Sequence, residues 1–398
     1  MAACGLVLSG AVSSAETPSD ETITPEQWDG CVVRLQQEAL DKGIPSDIVQ
    51  GPLAGIQYVP KVIELDRRQP EFTTTFSSYI TRRVDHRRVA RGRKMLREHR
   101  ELLNQLVKEY GIPAQYLVAF WGLETNYGSY LGKMPTLDSL ATLACDQRRS
   151  RFFTAQLMEA LKLLQVPGVE HPMRGSWAGA VGHTQFMPTA YLKYAIDGDG
   201  DGKKDLWGSI PDALTSAANF LNNLGWQRDL RWGREVQLPD GFDFTLLGFK
   251  QKRSLKQWRA MGLRTATGAE LADLDLPASV LLPAGYRGPA FLVYHNFDVI
   301  MGWNRSVYYA LSVGHLADRI NGAGKLQRSP PKDLKRLSIA QVKELQTRLN
   351  AMGYDTGNPD GILGPATRTA ISAFQQSREM VADGYPRSSV FEALEIEL

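Results

Sequence analysis

Between Gly111 and Gly128 the chain reads Gly-Ile-Pro-Ala-Gln-Tyr-Leu-Val-Ala-Phe-Trp-Gly-Leu-Glu-Thr-Asn-Tyr-Gly, an apolar run that carries one carboxyl, Glu124. Pro113 suits the first turn of a helix and Gly128 its C-terminal stop. Glu124 is therefore expected in the last turn, where the negative end of the helix dipole disfavours a carboxylate. Burial among Phe120, Trp121 and Leu123 acts in the same direction, so both effects hold the acid protonated near neutral pH. Such a group can donate a proton to a reacting oxygen. The competing reading is a glutamate at a helix end that points into water, because perturbed acids are enriched at active sites without being confined to them.

At 398 residues, with 43% hydrophobic and 22% charged side chains, the composition is that of an ordinary globular protein with two or more domains. A formal net charge of +3 is too small to argue for nucleic acid. The stretch Arg82 to Arg100 is rich in Arg, Lys and His and reads as the solvated face of a helix, with attraction to an anionic polymer as a second reading. The first fifteen residues carry no charged side chain and end in small residues before Glu16, which resembles the core and cleavage site of a secretory signal without its basic start. Residues 1–22 are read as a signal remnant, and Cys4 as a candidate for lipid attachment. No uncharged apolar run reaches the length of a membrane span. With the leader removed, Cys31 and Cys145 remain, either as a disulfide permitted by export or as two buried free thiols.

The texture along the chain is mainly α. Residues 24 to 109 read as helices, with a stop at Asp41-Lys-Gly-Ile-Pro45 and helical apolar spacing from Met95 to Tyr110. Helical patterns continue over 150–164, 188–195 and 213–224. Between about 233 and 297 short runs such as Glu235-Val-Gln-Leu, Ser279-Val-Leu-Leu and Ala290-Phe-Leu-Val-Tyr294, broken by Pro and Gly, predict a small strand-containing insert. Helix returns over 306–320. Asn321-Gly-Ala-Gly and Arg328-Ser-Pro-Pro-Lys332 then mark a boundary, which divides the chain into a region 23–325, a linker 326–336 and a compact tail 337–398.

The run Trp121-Gly-Leu-Glu-Thr-Asn-Tyr-Gly128, with Arg174-Gly-Ser-Trp-Ala-Gly-Ala-Val-Gly-His-Thr-Gln-Phe-Met-Pro188, closely resembles the membrane-bound lytic transglycosylase B family of peptidoglycan lyases. The resemblance extends over nearly all of residues 25 to 325. It implies a lysozyme-like core with a helical extension, and it implies that Glu124 is the single acid/base. Gly175, Gly179, Gly182, Ser176 and Ala178 are expected to let backbone approach a sugar ring, and Gln185, followed by Phe186, to offer a donor and an acceptor to an acetamido group. A tight interhelix loop is the plainer reading of those glycines. By the same resemblance Arg148 and Arg149 meet a peptide stem or lactyl carboxylate, and Asn304 and Tyr309 line the cleft. Trp303 and Phe220 stand where the family carries tyrosines, so each keeps an aromatic surface and loses a hydroxyl.

Counting carboxylates suggests the reaction. A hydrolysing glycosidase ordinarily needs two. Asp138 and Asp146 are nearest in sequence to these motifs, and neither has a setting that suggests chemistry. With one acid, transfer to a hydroxyl of the substrate remains: Glu124 protonates the bond after N-acetylmuramic acid and then deprotonates the C6 hydroxyl, which closes a 1,6-anhydro ring. A lysozyme-like hydrolase on the same fold and a non-catalytic wall-binding scaffold are the rival readings.

Asp197-Gly-Asp-Gly-Asp-Gly-Lys-Lys-Asp-Leu-Trp207 matches the EF-hand pattern, with Asp197, Asp199 and Asp201 at positions one, three and five and the Lys203 carbonyl at seven. Position twelve is Gly208, and the resembled family takes its last ligand later, so Asp212 is the candidate with Asp205 behind it. Calcium is expected there as a structural ion, and no organic cofactor is expected. The tail resembles the peptidoglycan-binding type 1 domain through Val342 to Tyr354, Asp360 to Gln375 and Asp383-Gly-Tyr385. Its helix-core spacing at Leu345, Leu349, Ala370, Ile371 and Phe374 suggests three helices. The implied partners are peptidoglycan glycan strands and, further, other cell-wall enzymes. The implied place is the periplasm of a Gram-negative bacterium, with outer-membrane association if Cys4 carries lipid.

Overall fold

The computed structural model describes residues 23–68, 74–249 and 251–398. The leader and Cys4 lie outside the described residues. The chain opens with α1 (Pro25–Asp41), whose capping box pairs Thr24 with Gln27 and whose predicted stop is made by Gly43 at φ 75°. The single turn α2 (Ser46–Ile48), α3 (Pro60–Arg68), α4 (Phe76–Arg83), α5 (His86–Glu98) and α6 (Arg100–Tyr110) follow. The apolar spacing from Met95 to Tyr110 is thus divided at His99, which leaves helical geometry and sets its ring edge-on to Trp121 at 5.5 Å.

Next comes α7 (Ala114–Thr125), buried on every side from Tyr116 to Leu123. Around it run strand β1 (Met134–Pro135), α8 (Thr136–Cys145), α9 (Ser150–Leu163), strand β2 (Arg174–Gly175), α10 (Pro188–Tyr194) and α11 (Ile210–Asn223). The insert supplies β3 (Gly233–Gln237), β4 (Arg253–Ser254), α12 (Leu255–Ala260), β5 (Arg264–Thr265), β6 (Pro277–Leu281) and β7 (Ala290–Val293). Then α13 (His295–Trp303) and α14 (Val307–Ile320) close the large region, and α15 (Ile339–Ala351), α16 (Pro365–Ser377) and α17 (Ser388–Ala393) form the tail. The strand-rich stretch expected to residue 297 ends earlier, at Val293, and α13, which no sequence pattern predicted, follows it.

Two cores fill the large region. One gathers α4 to α7, α11, α13 and α14 around Leu117, Phe120, Trp121, Leu221, Phe297 and Leu311. The other joins α1 and the following turns to α8, α9 and α10 around Leu35, Leu53, Leu140, Phe153, Leu157 and Tyr191. Each such side chain removed from water contributes about 1.5–3 kcal/mol. Cys31 and Cys145 are joined in a disulfide with Cα atoms 5.9 Å apart, which resolves the two readings of these cysteines and ties α1 to the end of α8.

The insert forms an antiparallel sheet in the order β4-β6-β7-β3-β5, with Val280 opposite Leu292 and Arg234 opposite Leu292. Alternation sends Val280 and Leu292 into the insert's own core with Trp258, and Leu281, Phe291 and Val293 into the core around α7. Both faces are covered, so the insert is a buttress behind α7 and α14.

The three tail helices enclose a separate core around Leu345, Ile371, Phe374 and Phe391. They repeat one device. Gln346 donates to Asp360 Oδ1 at 2.9 Å and accepts from Gly361 N at 2.8 Å, while Gln375 donates to Asp383 Oδ1 at 3.2 Å and accepts from Gly384 N at 2.8 Å. The second copy also meets the large region: Asp383 Oδ2 accepts from Tyr286 N at 2.7 Å, and Arg387 lies 4.5 Å over the Tyr286 ring. The connection between them is pinned as well, with Gln327 N and Arg328 N donating to Glu235 at 2.8 and 2.7 Å and Arg287 pairing with Asp333 at 2.7 Å.

Candidate active site

Glu124 lies in the last turn of α7, as its spacing from Pro113 predicts. The stop itself comes earlier than Gly128. Asn126 caps the helix at φ 50°, and Tyr127 and Gly128 continue with φ 59° and 72°, so three left-handed residues turn the chain sharply away. The turn is held by its neighbours. Thr125 Oγ1 donates to His183 O at 2.7 Å and accepts from Gly128 N at 3.1 Å, and Trp121 donates to His183 Nδ1 at 3.0 Å. A Cβ at Gly122 would lie 2.6 Å from Tyr127 Cζ, so the glycine makes room for a ring whose hydroxyl donates to Arg88 O at 2.8 Å.

At the carboxyl, two donors converge on one oxygen. Trp303 Nε1–H donates to Glu124 Oε1 at 2.9 Å, and the Tyr309 hydroxyl donates to the same atom. Burial, and then the Glu124 carboxyl beside it, push the Tyr309 hydroxyl well above its ordinary pKa, so it stays protonated. Trp303, expected to lack a useful hydroxyl, thus brings an N–H that reaches Glu124. The Trp303 ring is packed by Phe120 at 4.6 Å, Phe220 at 5.1 Å and Phe186 at 5.5 Å. Phe186 is buried and shapes this wall from behind, and Phe220 stacks on Tyr194 at 4.6 Å.

The glycine-rich loop differs from its expected role. A Cβ at Gly175 would meet Ala180 O, one at Gly179 would meet Leu140, and one at Gly182 would meet Leu206. These glycines let the loop pack on protein, as the plainer reading had it. Ser176 Oγ accepts from Ala180 N at 3.0 Å within the same loop. Gln185, at φ 52°, donates through Nε2 to Leu131 O at 3.0 Å and Gly182 O at 2.9 Å, so its amide nitrogen is occupied by two backbone carbonyls. Asn304 is exposed after α13, its oxygen accepting from Ser306 N at 3.0 Å.

Arg148 and Arg149 stand apart from this group, between α8 and α9. Both form ion pairs with the buried Asp66 of α3, Arg148 at 3.3 Å, and Arg149 also lies 4.8 Å over Phe153. They line a depression of about 570 Å³ with Gln147, Ser150, Arg151 and Phe152. Asp66 gave no signal in the sequence; its role emerges only when α3 meets the α8–α9 turn. Asp138 and Asp146 are structural: Asp138 accepts from Gln57 N at 2.5 Å, and Asp146 pairs with Arg67 at 3.3 Å.

In the acidic loop, carboxylate oxygens of Asp197, Asp199 and Asp212 lie within 4.8 Å of one another. Asp197 is held by Gly200 N and Gly202 N, and Asp212, buried in the first turn of α11, by Gly198 N and Asp205 N. Burial pushes the Asp212 carboxyl above its ordinary pKa. Asp201 is exposed and outside the trio, and Asp205 turns away to accept from Trp207 N and Gly208 N. An all-oxygen set whose charges repel fits a hard divalent cation.

Residues 27–318 match the transglycosylase SLT domain, and residues 338–394 match a peptidoglycan binding domain. The chain belongs to the SLT-domain lytic transglycosylases. Among relatives of this transglycosylase, SltB3 from Pseudomonas aeruginosa, solved in complex with NAG-anhNAM-pentapeptide, superposes with a TM-score of 0.88 at 44% identity, over 92% of this chain and 99% of that one. Membrane-bound lytic murein transglycosylase B of Escherichia coli (strain K12) is 34% identical over 56% of this chain, and the match spans 61% of that protein's length. The Escherichia coli lytic transglycosylase Slt35, solved in complex with calcium, superposes with a TM-score of 0.62 at 28% identity, over 73% of this chain and 92% of that one. Among the described residues no helix of the transglycosylase is long and apolar enough to cross a membrane.

Proposed function

We propose that Glu124 is the single acid/base with which this lytic transglycosylase cleaves the β-1,4 bond between N-acetylmuramic acid and N-acetylglucosamine, leaving a 1,6-anhydro end. The observation that carries this is the Glu124 carboxyl at the end of a buried helix, oriented by Trp303 and Tyr309, while Asp138 and Asp146 are held elsewhere. As an acid Glu124 gives its proton to the departing oxygen; as a carboxylate it takes one from the C6 hydroxyl, which attacks in place of water. The Gln185 oxygen, the Ser176 hydroxyl and the Asn304 amide are the polar groups for the sugars. Phe220 and Trp303 form the apolar wall, with Phe186 buried behind them. Arg148 and Arg149 together exceed the charge of Asp66 by one, which supports a role for that depression toward an anionic stem.

The same reading takes calcium as a structural ion at Asp197, Asp199 and Asp212, with the Asp201 carboxylate and the Lys203 carbonyl as further ligands. The tail holds glycan strands, and the enzyme works in the periplasm, where that substrate lies and a disulfide persists. The test is mass spectrometry of sacculi digested by the purified protein. Anhydro-muropeptides, lighter by one water than the hydrolase products, are expected. Products with a reducing muramic acid would favour the lysozyme-like reaction and overturn the proposal.

A further inference from the structure

The two Gln–Asp–Gly copies in the tail agree bond for bond, and only the second meets another segment of the chain. In each, the aspartate Oδ1 also accepts from the backbone two residues on, Ile362 N at 2.8 Å or Tyr385 N at 3.1 Å. The glutamine Nε2 donates to the carbonyl of that same residue, at 3.2 Å in the first copy and 3.1 Å in the second. Gly361 and Gly384 turn the chain at φ 81° and 68°, and α16 and α17 begin at the same distance from their aspartates. Oδ1 is thus used inside the device, and Oδ2 is left for a partner. Asp383 Oδ2 takes the Tyr286 N–H at 2.7 Å and the Arg387 guanidinium. Asp360 is exposed, its Oδ2 meets no donor among the described residues, and a Cβ at Gly364, the counterpart of Arg387, would touch nothing within 4 Å.

The second copy shows which donor fits. The Tyr286 N–H is a backbone amide, and the residue before it, Gly285, holds φ 69°. An L side chain at Gly285 would put its Cβ 2.7 Å from Asp383 Oδ2 and 2.9 Å from Tyr385 Cβ. The amide must therefore follow a residue with left-handed backbone and no L-configured Cβ. Glycine meets that condition, and so does a D-amino acid, for which positive φ is the ordinary region and whose Cβ stands on the opposite side. We propose that Asp360 Oδ2 is a binding site for the backbone N–H that follows a D-residue, the D-alanyl amide of a peptidoglycan stem or cross-link. This rests on the reading that the tail holds peptidoglycan, and it names the part of the polymer that the first copy takes. With no counterpart of Arg387, the Asp360 carboxylate keeps its charge for that N–H, and a hydrogen bond to a charged acceptor is the stronger kind.

The test follows backbone amide resonances of the isotope-labelled full chain as diacetyl-L-lysyl-D-alanyl-D-alanine amide is added. Its all-L isomer and the peptide-free tetramer of N-acetylglucosamine are added separately. The D-peptide should shift Gly361 and Ile362 saturably, and the all-L isomer should bind more weakly by about tenfold or more, the loss of one hydrogen bond to a charged group. Asp360→Asn keeps Oδ1 for Gln346 and Ile362 but replaces the accepting Oδ2 by a donor, and should cost the D-peptide the same factor. Gly364, at φ −75°, accepts a side chain, so Gly364→Arg should supply the cation that Arg387 gives the second copy and block the site equally. The Gly384 resonance reports that the tail stays folded in both variants. Equal binding of the two isomers, or D-peptide binding unchanged in either variant, overturns the proposal. Tail shifts from the sugar tetramer alone would keep the tail as a wall-binding module and overturn the peptide site. No tail shift with any probe would remove the wall-binding reading as well.

Discussion

Trp121 donates its indole N–H to Nδ1 of His183 across 3.0 Å, inside the core that carries Glu124. That bond requires an unprotonated Nδ1, and burial supplies the condition by holding the imidazole below its ordinary pKa. The pair fastens α7 to the loop before α10 from behind the cleft. Trp121→Phe should leave the acceptor without its donor and lower stability by about 1–3 kcal/mol in urea denaturation. An unfolding midpoint equal to the parent's would show that the pair is incidental.

The same chemistry sets an acid limit. His315, deep in α14, is held down to about 4 by burial and, less, by Arg319. In the unfolded chain a histidine titrates near 6.5, so between those values the unfolded state binds more protons. The contribution of His315 is present above about pH 6.5 and is lost as pH falls through about 4, to the extent of roughly 3 kcal/mol. Urea midpoints measured from pH 7 to pH 4.5 should fall steadily, and His315→Gln should flatten the decline. A parent midpoint that is constant over that range contradicts the argument.

Glu124→Gln should lower turnover at least about a hundredfold while the melting temperature and glycan binding are kept, because it removes the transferable proton at nearly constant shape. Release of anhydro-muropeptides from sacculi reads the rate. Activity within a few-fold of the parent would take Glu124 out of its role.

The Cys31–Cys145 disulfide closes 114 residues of sequence separation. A loop of that length implies a stabilisation of about 4–5 kcal/mol through the unfolded chain. The paired change to serine should lower the melting temperature strongly, and thiol labelling of the unreduced, unfolded protein should find neither Cys31 nor Cys145. Two labelled thiols at these positions would refute the bond.

Asp199→Ala should make stability insensitive to calcium, since Asp199 is exposed and contributes one carboxylate of the close trio. A ligand bound only by the folded form stabilises by about 2.7 kcal/mol at a hundredfold excess over its Kd. Chelation of the parent should lower its melting temperature toward that of the variant. A parent curve indifferent to chelator would leave the loop an acidic turn.

The sequence revealed most where periodicity and punctuation agree. Glu124 could be placed in the last turn of a helix because Pro113 and Gly128 bracket it, and the short strands of the insert announced themselves by short apolar runs between Pro and Gly. What it hid depends on contacts between distant segments. The N–H of Trp303 looked like a lost hydroxyl until α13 brought it beside α7, some 180 positions away, at 2.9 Å from Glu124. The glycines before His183 suggested room for a sugar, and only packing shows that Leu140, Ala180 and Leu206 fill that room. Asp66, which engages both Arg148 and Arg149, carried no pattern at all.

The tail presents the Gln–Asp–Gly device twice and uses the second copy as an anchor at Tyr286. A module on a loose tether samples a cloud of positions, and the local concentration of what it holds is set by tether length. Here the module is fastened at Tyr286, and Glu235 and Arg287 grip the connection. With a glycan strand held by the tail, as proposed above, the spacing from that strand to Glu124 would be set by the protein and not by a tether.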